Sequence, residues 1–381
     1  MKLAYLNLIQ NNSRVRNNQI FNTLNSLSKL VEVTYYSNRT KKSISKILKE
    51  LKLKQKFSTV HLPIIMFERF FFTRIISVFL YTLVCSICLR FKEYDYIYIR
   101  DLRILFVQAH LPGFLKIKQP IIFEPHKIGS QVSSITPDEE KKALKQASIF
   151  FPISKGIKKE LIRTYEISNK YIHVVPDGVN LKLFNEIRPE TNYLIHKHNI
   201  PKNNYTVVYT GSFQSWKGVE TLVLSSKYIS KNTTILLLGG FGKDKKRIEE
   251  LVKKEKYSNI IIKGHVDQEE VIKTVKSADV AVIPNNKTTI GSKYTSPLKL
   301  FEYMACGAPI VASNLSAMRE VLKEKRNCLF FEAENHKDLA KKINILLKRK
   351  VLRTTQSSHN RMDVKTYSWD SRAKQIIQQI R

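Results

Sequence analysis

The chain has 381 residues, 43% apolar and 25% charged, which suits two domains of ordinary size and excludes wholesale disorder. Its 65 Lys+Arg against 32 Asp+Glu give a formal charge of +33 and point to an anionic partner: nucleic acid, membrane or substrate. The excess is carried by 47 Lys against 18 Arg, with no zinc-finger, RNP or basic-zipper pattern, so no nucleic-acid partner is expected.

In chain order, Leu3–Leu8 reads as a first strand, too short an apolar run for a signal peptide. Val31–Tyr36, Tyr96–Ile99, Ile121–Glu124, Ile149–Ile153 and Ile172–Val175 follow as strands, alternating with helical stretches at Gln19–Leu30, Lys41–Lys56 and Lys155–Thr164. From Val207 the rhythm is clearer. Strands are expected at Val207–Tyr209, Ile235–Leu238, Ile260–Ile262, Val280–Ile283, Pro309–Ala312 and Cys328–Phe331, with helices such as Val219–Ile229 and Asp338–Leu347 between them. Such alternation implies βαβ units and open, mostly parallel sheets, which bind ligands at the carboxyl ends of their strands. Two α/β doubly wound domains account for the length, joined in the polar stretch from Asn185 to Asn204.

One segment breaks the pattern. His61–Arg90 is strongly apolar and aromatic, and its longest uncharged run, Ile75–Leu89, is shorter than the roughly twenty residues that span a bilayer. Arg39–Lys56 before it is strongly basic. A basic helix followed by an exposed aromatic one is expected to lie on an anionic membrane, with Lys41, Lys42, Lys46, Lys49, Lys52, Lys54 and Lys56 facing it. The alternative is a buried helix pair behind a solvated one. The four cysteines form no disulfide framework, and Cys85 and Cys88 lack the flanking ligands of a metal site. A reducing cytosol is the simple inference.

Two stretches carry chemistry. Tyr209-Thr210-Gly211-Ser212 ends a strand, and Trp216-Lys217-Gly218 opens a helix, so a ligand can approach the backbone and find both free N–H groups and a cation. Ser296-Pro297 is expected to cap a second helix, Ser296 as N-cap and Pro297 as first helical residue, with Gly307 and Pro309 ending it. Glu302, one turn in, is placed to accept hydrogen bonds from a ribose diol.

Taken together, Gly211…Lys217-Gly218, Leu238-Gly239-Gly240-Phe241-Gly242, Gly264-His265-Val266, Ala278-Asp279-Val280, Ser296–Pro309 and Tyr367-Ser368-Trp369 closely resemble the retaining GT-B glycosyltransferases of family 4 (group 1). Pro152-Ile153-Ser154-Lys155 and Val175–Asn180 with Phe184 resemble the same family. The resemblance implies a GT-B fold, two Rossmann-like domains facing a central cleft. Their expected bounds are 1–188 for the acceptor, 189–365 for the nucleotide-sugar donor, and a helix, 366–381, crossing back to the first domain. By the same resemblance Lys217 meets the donor diphosphate, Gly211 its close approach, and Val266 the base. Ser296, Pro297, Leu298 and Lys299 lie beneath diphosphate and sugar, Glu302 holds the ribose, and His126 of Glu124-Pro125-His126 lies beside the transferred sugar.

Three departures stand out: Tyr294 where the family has the first Glu of E-x7-E, Ser212 where an Arg is frequent, and Gln10-Asn11-Asn12 where a Gly-Gly turn is common. The resemblance implies transfer, with retention and without metal or cofactor, from a nucleoside diphosphate sugar to a glycan or lipid-linked hydroxyl. The setting would be surface polysaccharide or lipopolysaccharide synthesis on the cytoplasmic face of the plasma membrane. A sugar-nucleotide epimerase on the same frame, and a non-catalytic basic membrane- or nucleic-acid-binding protein, are the competing readings.

Overall fold

The computed structural model describes residues 1–9, 14–39, 43–65, 71–128 and 135–381. The expectations at Gln10-Asn11-Asn12, Lys41 and Lys42 lie outside the described residues. The chain forms two compact units, one of Met1–Asp177 with Trp369–Arg381 and one of Gly178–Ser368. The division therefore falls ahead of the residue 188 expected from the linker's polarity. Val179, Leu183 and Phe184 are the reason: their side chains are buried in the second unit's core, and the Val179 N–H donates to the Tyr367 carbonyl at 3.0 Å. The closing helix, Trp369–Ile380, buries Ala373, Ile376, Ile377 and Ile380 in the core of the first unit.

The first unit is a six-stranded parallel sheet. Its strands are β1 (Lys2–Leu6), β2 (Glu32–Arg39), β3 (Ser58–Ile65), β4 (Tyr96–Ile99), β5 (Ile121–Phe123) and β6 (Ile149–Phe150), ordered β3-β2-β1-β4-β5-β6. The central strand is covered on both sides, so Leu3, Ala4, Tyr5 and Leu6 are all buried and the sequence runs apolar without alternation. Three elements differ from expectation. Ser58–Ile65 is an edge strand, where Pro63 costs no ladder hydrogen bond, and its register with β2 slips there, from Asn38↔Leu62 to Arg39↔Ile65. Ile172–Val175 is no strand; a single bridge joins Ile172 to Phe150. The basic helix is only Ile44–Glu50, because Lys52 turns into the left-handed region at φ 53.

The second unit repeats the plan with β7 (Tyr205–Thr210), β8 (Thr233–Leu238), β9 (Ile260–Lys263), β10 (Val280–Ile283), β11 (Ile310–Ser313) and β12 (Leu329–Phe331), ordered β12-β11-β10-β7-β8-β9 and parallel throughout. The strand order reverses between β7 and β10. At such a switch point the flanking crossovers leave to opposite faces, opening a crevice at the carboxyl ends of the strands. This is where the chemistry-bearing residues of the unit collect.

Candidate functional site

In the second unit the loops after β7 and β10 are fastened together. The Asn286 amide N–H donates to the Trp216 carbonyl at 2.9 Å, and its side-chain amide to the Ser215 carbonyl at 2.9 Å. Gly218 sits at φ 65, and a Cβ there would overlap the Pro284 carbonyl oxygen, so only glycine lets the two loops close. Gly211 ends β7 at φ 125 with its N–H on the Leu238 carbonyl, tying β7 to β8. The turn between Gly211 and Gly218 is thereby held open to whatever occupies the crevice.

Into it project Lys217 and Lys299. The Lys217 ammonium lies 3.6 Å from the centre of the Trp216 ring, and Lys299 Nζ lies 3.7 Å from the centre of the Tyr209 ring. Lys299 is buried, and its ammonium has no hydrogen-bond partner. A Cβ on Gly211 would stand 3.4 Å from it, in ordinary contact. Desolvation first, then the Lys217 charge, hold Lys299 well below the ordinary lysine range, with Glu302 opposing. Burial alone brings Lys217 down to about 7. Glu302 is pushed up to about 7 by burial, with Lys299 pulling the other way. Two desolvated ammonium groups without a carboxylate in hydrogen-bond contact form a site that an oxyanion would neutralise.

The helix carrying Lys299 and Glu302 is Leu298–Cys306, and here expectation needs correction. Its N-cap is Pro297, with no side-chain capping bond, and the first helical residue is Leu298; Ser296 lies one residue outside. Pro297 makes no side-chain cap, and its carbonyl accepts from the Leu300 N–H at 2.9 Å. The C-terminus ends as expected, with Gly307 at φ 68. Tyr303 locks the helix to the sheet by accepting from the amide and the hydroxyl of Thr210, at 2.8 and 3.2 Å. Tyr294 is buried. Val266 is half-buried beyond the end of β9, against the cluster of Leu236 and Leu238. The structure thus brings Gly211, Lys217, Lys299 and Glu302 together, and leaves Val266 on the neighbouring strand end.

Sequence reasoning missed Asn285, directly beyond β10. It is wholly buried, and neither its amide nitrogen nor its oxygen has a partner. Leaving such a group unpaired costs about 1–3 kcal/mol. Its only signal in the sequence is the Pro-Asn-Asn that ends the strand.

The first unit has its own polar cluster beyond β4 and β5, centred on Glu124. His126 Nε2 donates to Glu124 Oε1 at 2.5 Å, Arg372 Nη2 pairs with Oε2 at 2.7 Å, and the Tyr98 hydroxyl also donates to it. Arg100 Nη2 lies 2.8 Å from His126 Nε2 and 3.2 Å from Nδ1, and donates to Gln19 at 2.8 Å; Gln19 in turn donates to Asp177 at 2.6 Å. Burial would raise the Glu124 carboxyl, but Arg372, His126 and Arg100 outweigh it and hold it well below the usual carboxylate range. Desolvation and then Arg100 lower the His126 imidazole, so it is neutral at pH 7. Asp177 is raised by burial. Glu124, His126 and Asp177 offer ligand atoms within 4.8 Å of one another, the spacing of a metal site. Glu124 is already paired with Arg372 and lies close to Arg100, and these two guanidinium groups would repel a dication. The cluster instead holds the His126 ring between the Glu124 carboxylate and the Arg100 guanidinium.

Residues 191–368, nearly the whole second unit, match the family of glycosyl transferases, group 1. The chain is similar to an uncharacterized glycosyltransferase of Methanocaldococcus jannaschii, 29% identical over 163 residues, covering 43% of this chain and 44% of the relative. Among solved structures it is similar to a glycosyltransferase from Rickettsia africae (TM-score 0.78, 17% identity, 100% of this chain and 97% of that one). It is also similar to the Anabaena protein HepE in complex with UDP (TM-score 0.77, 14% identity, 99% of each chain). The two doubly wound sheets are those of the GT-B fold, and the chain spans less than half the length of the Methanocaldococcus relative.

Proposed function

We propose that the protein is a retaining glycosyltransferase of family 4, taking a sugar from a nucleoside diphosphate donor held by the second unit. The observation that carries this reading is the desolvated, unpartnered Lys299 ammonium beside Gly211 and Lys217 at the β7–β10 switch point. A diphosphate there gains two charge-assisted partners and the positive end of the helix Leu298–Cys306. The charge that develops on it as the sugar leaves is stabilised by groups already in place. The site supplies its own positive charge, so no metal is needed for that step. Glu302 takes the ribose, and the backbone by Val266 the base. UDP as donor base draws support from HepE, whose complexes hold UDP and UDP-glucose.

In the transfer, the bond from the sugar's anomeric carbon to phosphate oxygen breaks and a bond to the acceptor oxygen forms on the same face. The acceptor's proton passes to the departing phosphate. His126, neutral and fixed by Glu124, is assigned to the transferred sugar. The acceptor is a glycan or lipid-linked hydroxyl in cell-surface polysaccharide or lipopolysaccharide synthesis in the cytoplasm. An epimerase would need a free carboxylate as acid or base, and Glu124 is committed to Arg372 and His126.

The test is a screen of UDP-, GDP- and ADP-sugars for thermal stabilisation and donor hydrolysis. One nucleotide series should stabilise the protein, and its sugar should be released with the anomeric configuration kept. No stabilisation by any of them, or inversion, would overturn the assignment.

A further inference from the structure

The helix Phe71–Arg90, which follows β3, carries apolar side chains on its exposed face as well as its buried one. Its buried face mixes Val78, Cys85 and Leu89 with Ser77, Tyr81, Thr82 and Ser86. Their hydroxyls are satisfied within the unit: Ser77, Thr82 and Ser86 donate to backbone carbonyls four residues back, Tyr81 donates to the Tyr36 carbonyl at 2.6 Å, and Gln108 donates to Ser86 Oγ at 2.6 Å. Its outward face carries Ile75, Ile76, Phe79, Leu80 and Ile87, each more than two-fifths exposed. These positions recur at helical spacing, so they form one stripe along a helix about 30 Å long. Phe91, 83% exposed, extends the stripe past the helix end, and Phe114, 67% exposed, stands on the Gly113–Leu115 turn. A soluble surface scatters such residues singly; a continuous stripe marks a docking face.

The rim identifies the occupant. Arg74 lies at one end of the stripe, and exposed Arg90, Lys92 and Lys118 lie at or near the other. The segment Thr73–Arg90 is long and apolar enough to cross a membrane. Its hydroxyl-bearing face is nonetheless anchored to β2 and to the helix Leu102–His110, so it lies on a surface rather than spanning one.

We infer that this face docks on an anionic lipid bilayer, the apolar stripe entering the acyl boundary and the basic rim meeting headgroups. A second copy of the chain is the poorer partner, since a self-complementary contact would bring the same basic ends together. The basic helix Ile44–Glu50 does not share this face, contrary to the continuous surface expected from the sequence. Ile44, Ile47 and Leu48 pack with Leu3, Tyr5, Val33 and Tyr35, whereas Phe71–Arg90 packs on the side of Tyr36, and side chains alternate across a strand. Lys46 and Lys49 therefore lie behind the sheet. The inference stands independently of the donor-site assignment.

The test is flotation with vesicles of phosphatidylcholine alone and with about a third phosphatidylglycerol. The parent should bind the anionic vesicles, and Ile76→Asp with Leu80→Asp should weaken binding at least ~10-fold at any salt. Arg90→Glu with Lys92→Glu should weaken it at low salt only, and Lys46→Glu with Lys49→Glu should change it less than about 2-fold at 0.15 M salt. Melting by circular dichroism checks that each variant folds; the substituted side chains are exposed. No binding by the parent, or stripe variants that bind like it, would overturn the inference. So would a dimer in light scattering that the stripe variant dissolves, which would give the face to a second copy.

Discussion

Nucleotide binding should take up protons, and the stoichiometry follows from the site. In the empty protein Lys217 is brought down to about 7 by burial, and Lys299 lies lower than its ordinary range for the same reason with Lys217 added. A bound diphosphate neutralises the field and returns both toward ordinary lysine behaviour. At pH 8 a group titrating at about 7 is roughly 90% neutral, so Lys217 contributes uptake of about 0.9 proton. Lys299 contributes further, bringing the total toward two. Glu302, at about 7, is already about 90% ionised at pH 8 and releases at most ~0.1 proton on meeting a ribose diol. Net uptake between about one and two protons is therefore expected. Isothermal titration with UDP in buffers of different ionisation enthalpy reads it directly. Lys217→Met should remove about one proton of that uptake and Glu302→Gln should leave it nearly whole. Zero uptake, or release, would refute the claim that the two lysines face the diphosphate.

Lys217→Ala should cost at least ~2 kcal/mol of transition-state stabilisation, seen in kcat/KM for the donor. Glu302→Gln should raise the donor KM while sparing kcat, and the loss should be larger at pH 8 than at pH 6, where the wild-type carboxyl is mostly protonated too. Glu124→Ala should destabilise by about 3–5 kcal/mol in denaturant, because Arg372 would be left buried without its counter-ion. Since the folded Glu124 carboxyl lies below its unfolded value, its stabilisation is full above about pH 4.5 and is lost as pH falls toward the folded value; acid unfolding monitored by circular dichroism should show this in the wild type and lack it in Glu124→Gln. Gly218→Ala should destabilise by well over 1 kcal/mol, whereas Gly242→Ala, at φ 54 in open space, should cost only about 1 kcal/mol of backbone strain, both measured by thermal melting.

The second unit was legible because its inner strands are covered on both faces and read as apolar runs, and even the half-buried edge strand β9 keeps Ile260–Ile262. The first unit hid what does not follow that rule. Ser58–Ile65 is half-exposed and carries Pro63, so neither propensity nor alternation marks it. Gly211 and Lys217 were readable in the turn that follows β7, and Lys299 and Glu302 in the first turns of the helix that opens after Pro297. Arg372 was not: its partner Glu124 lies far away in the chain, and nothing local announces a pair made only by the closing helix. Asn285 escaped for the opposite reason, being one more asparagine in a loop until its burial is known.

The charge of +33 divides along the same line. Two of its members, Lys217 and Lys299, are desolvated, perturbed and close to each other; they act by being costly until an anion arrives. Most of the remaining described lysines are exposed or half-exposed, and their effect is a screened field that reaches about 8–10 Å. Among the described residues the basic groups at the ends of the apolar stripe are placed to cooperate with it, whereas Lys46 and Lys49 lie behind the sheet. Salt should therefore separate the two roles: raising it should weaken vesicle binding through Arg90 and Lys92 well before it weakens nucleotide binding through the buried pair. Equal salt sensitivity of the two would mean that the lysines at the strand ends are ordinary solvated charges, and the donor site would have to be sought elsewhere.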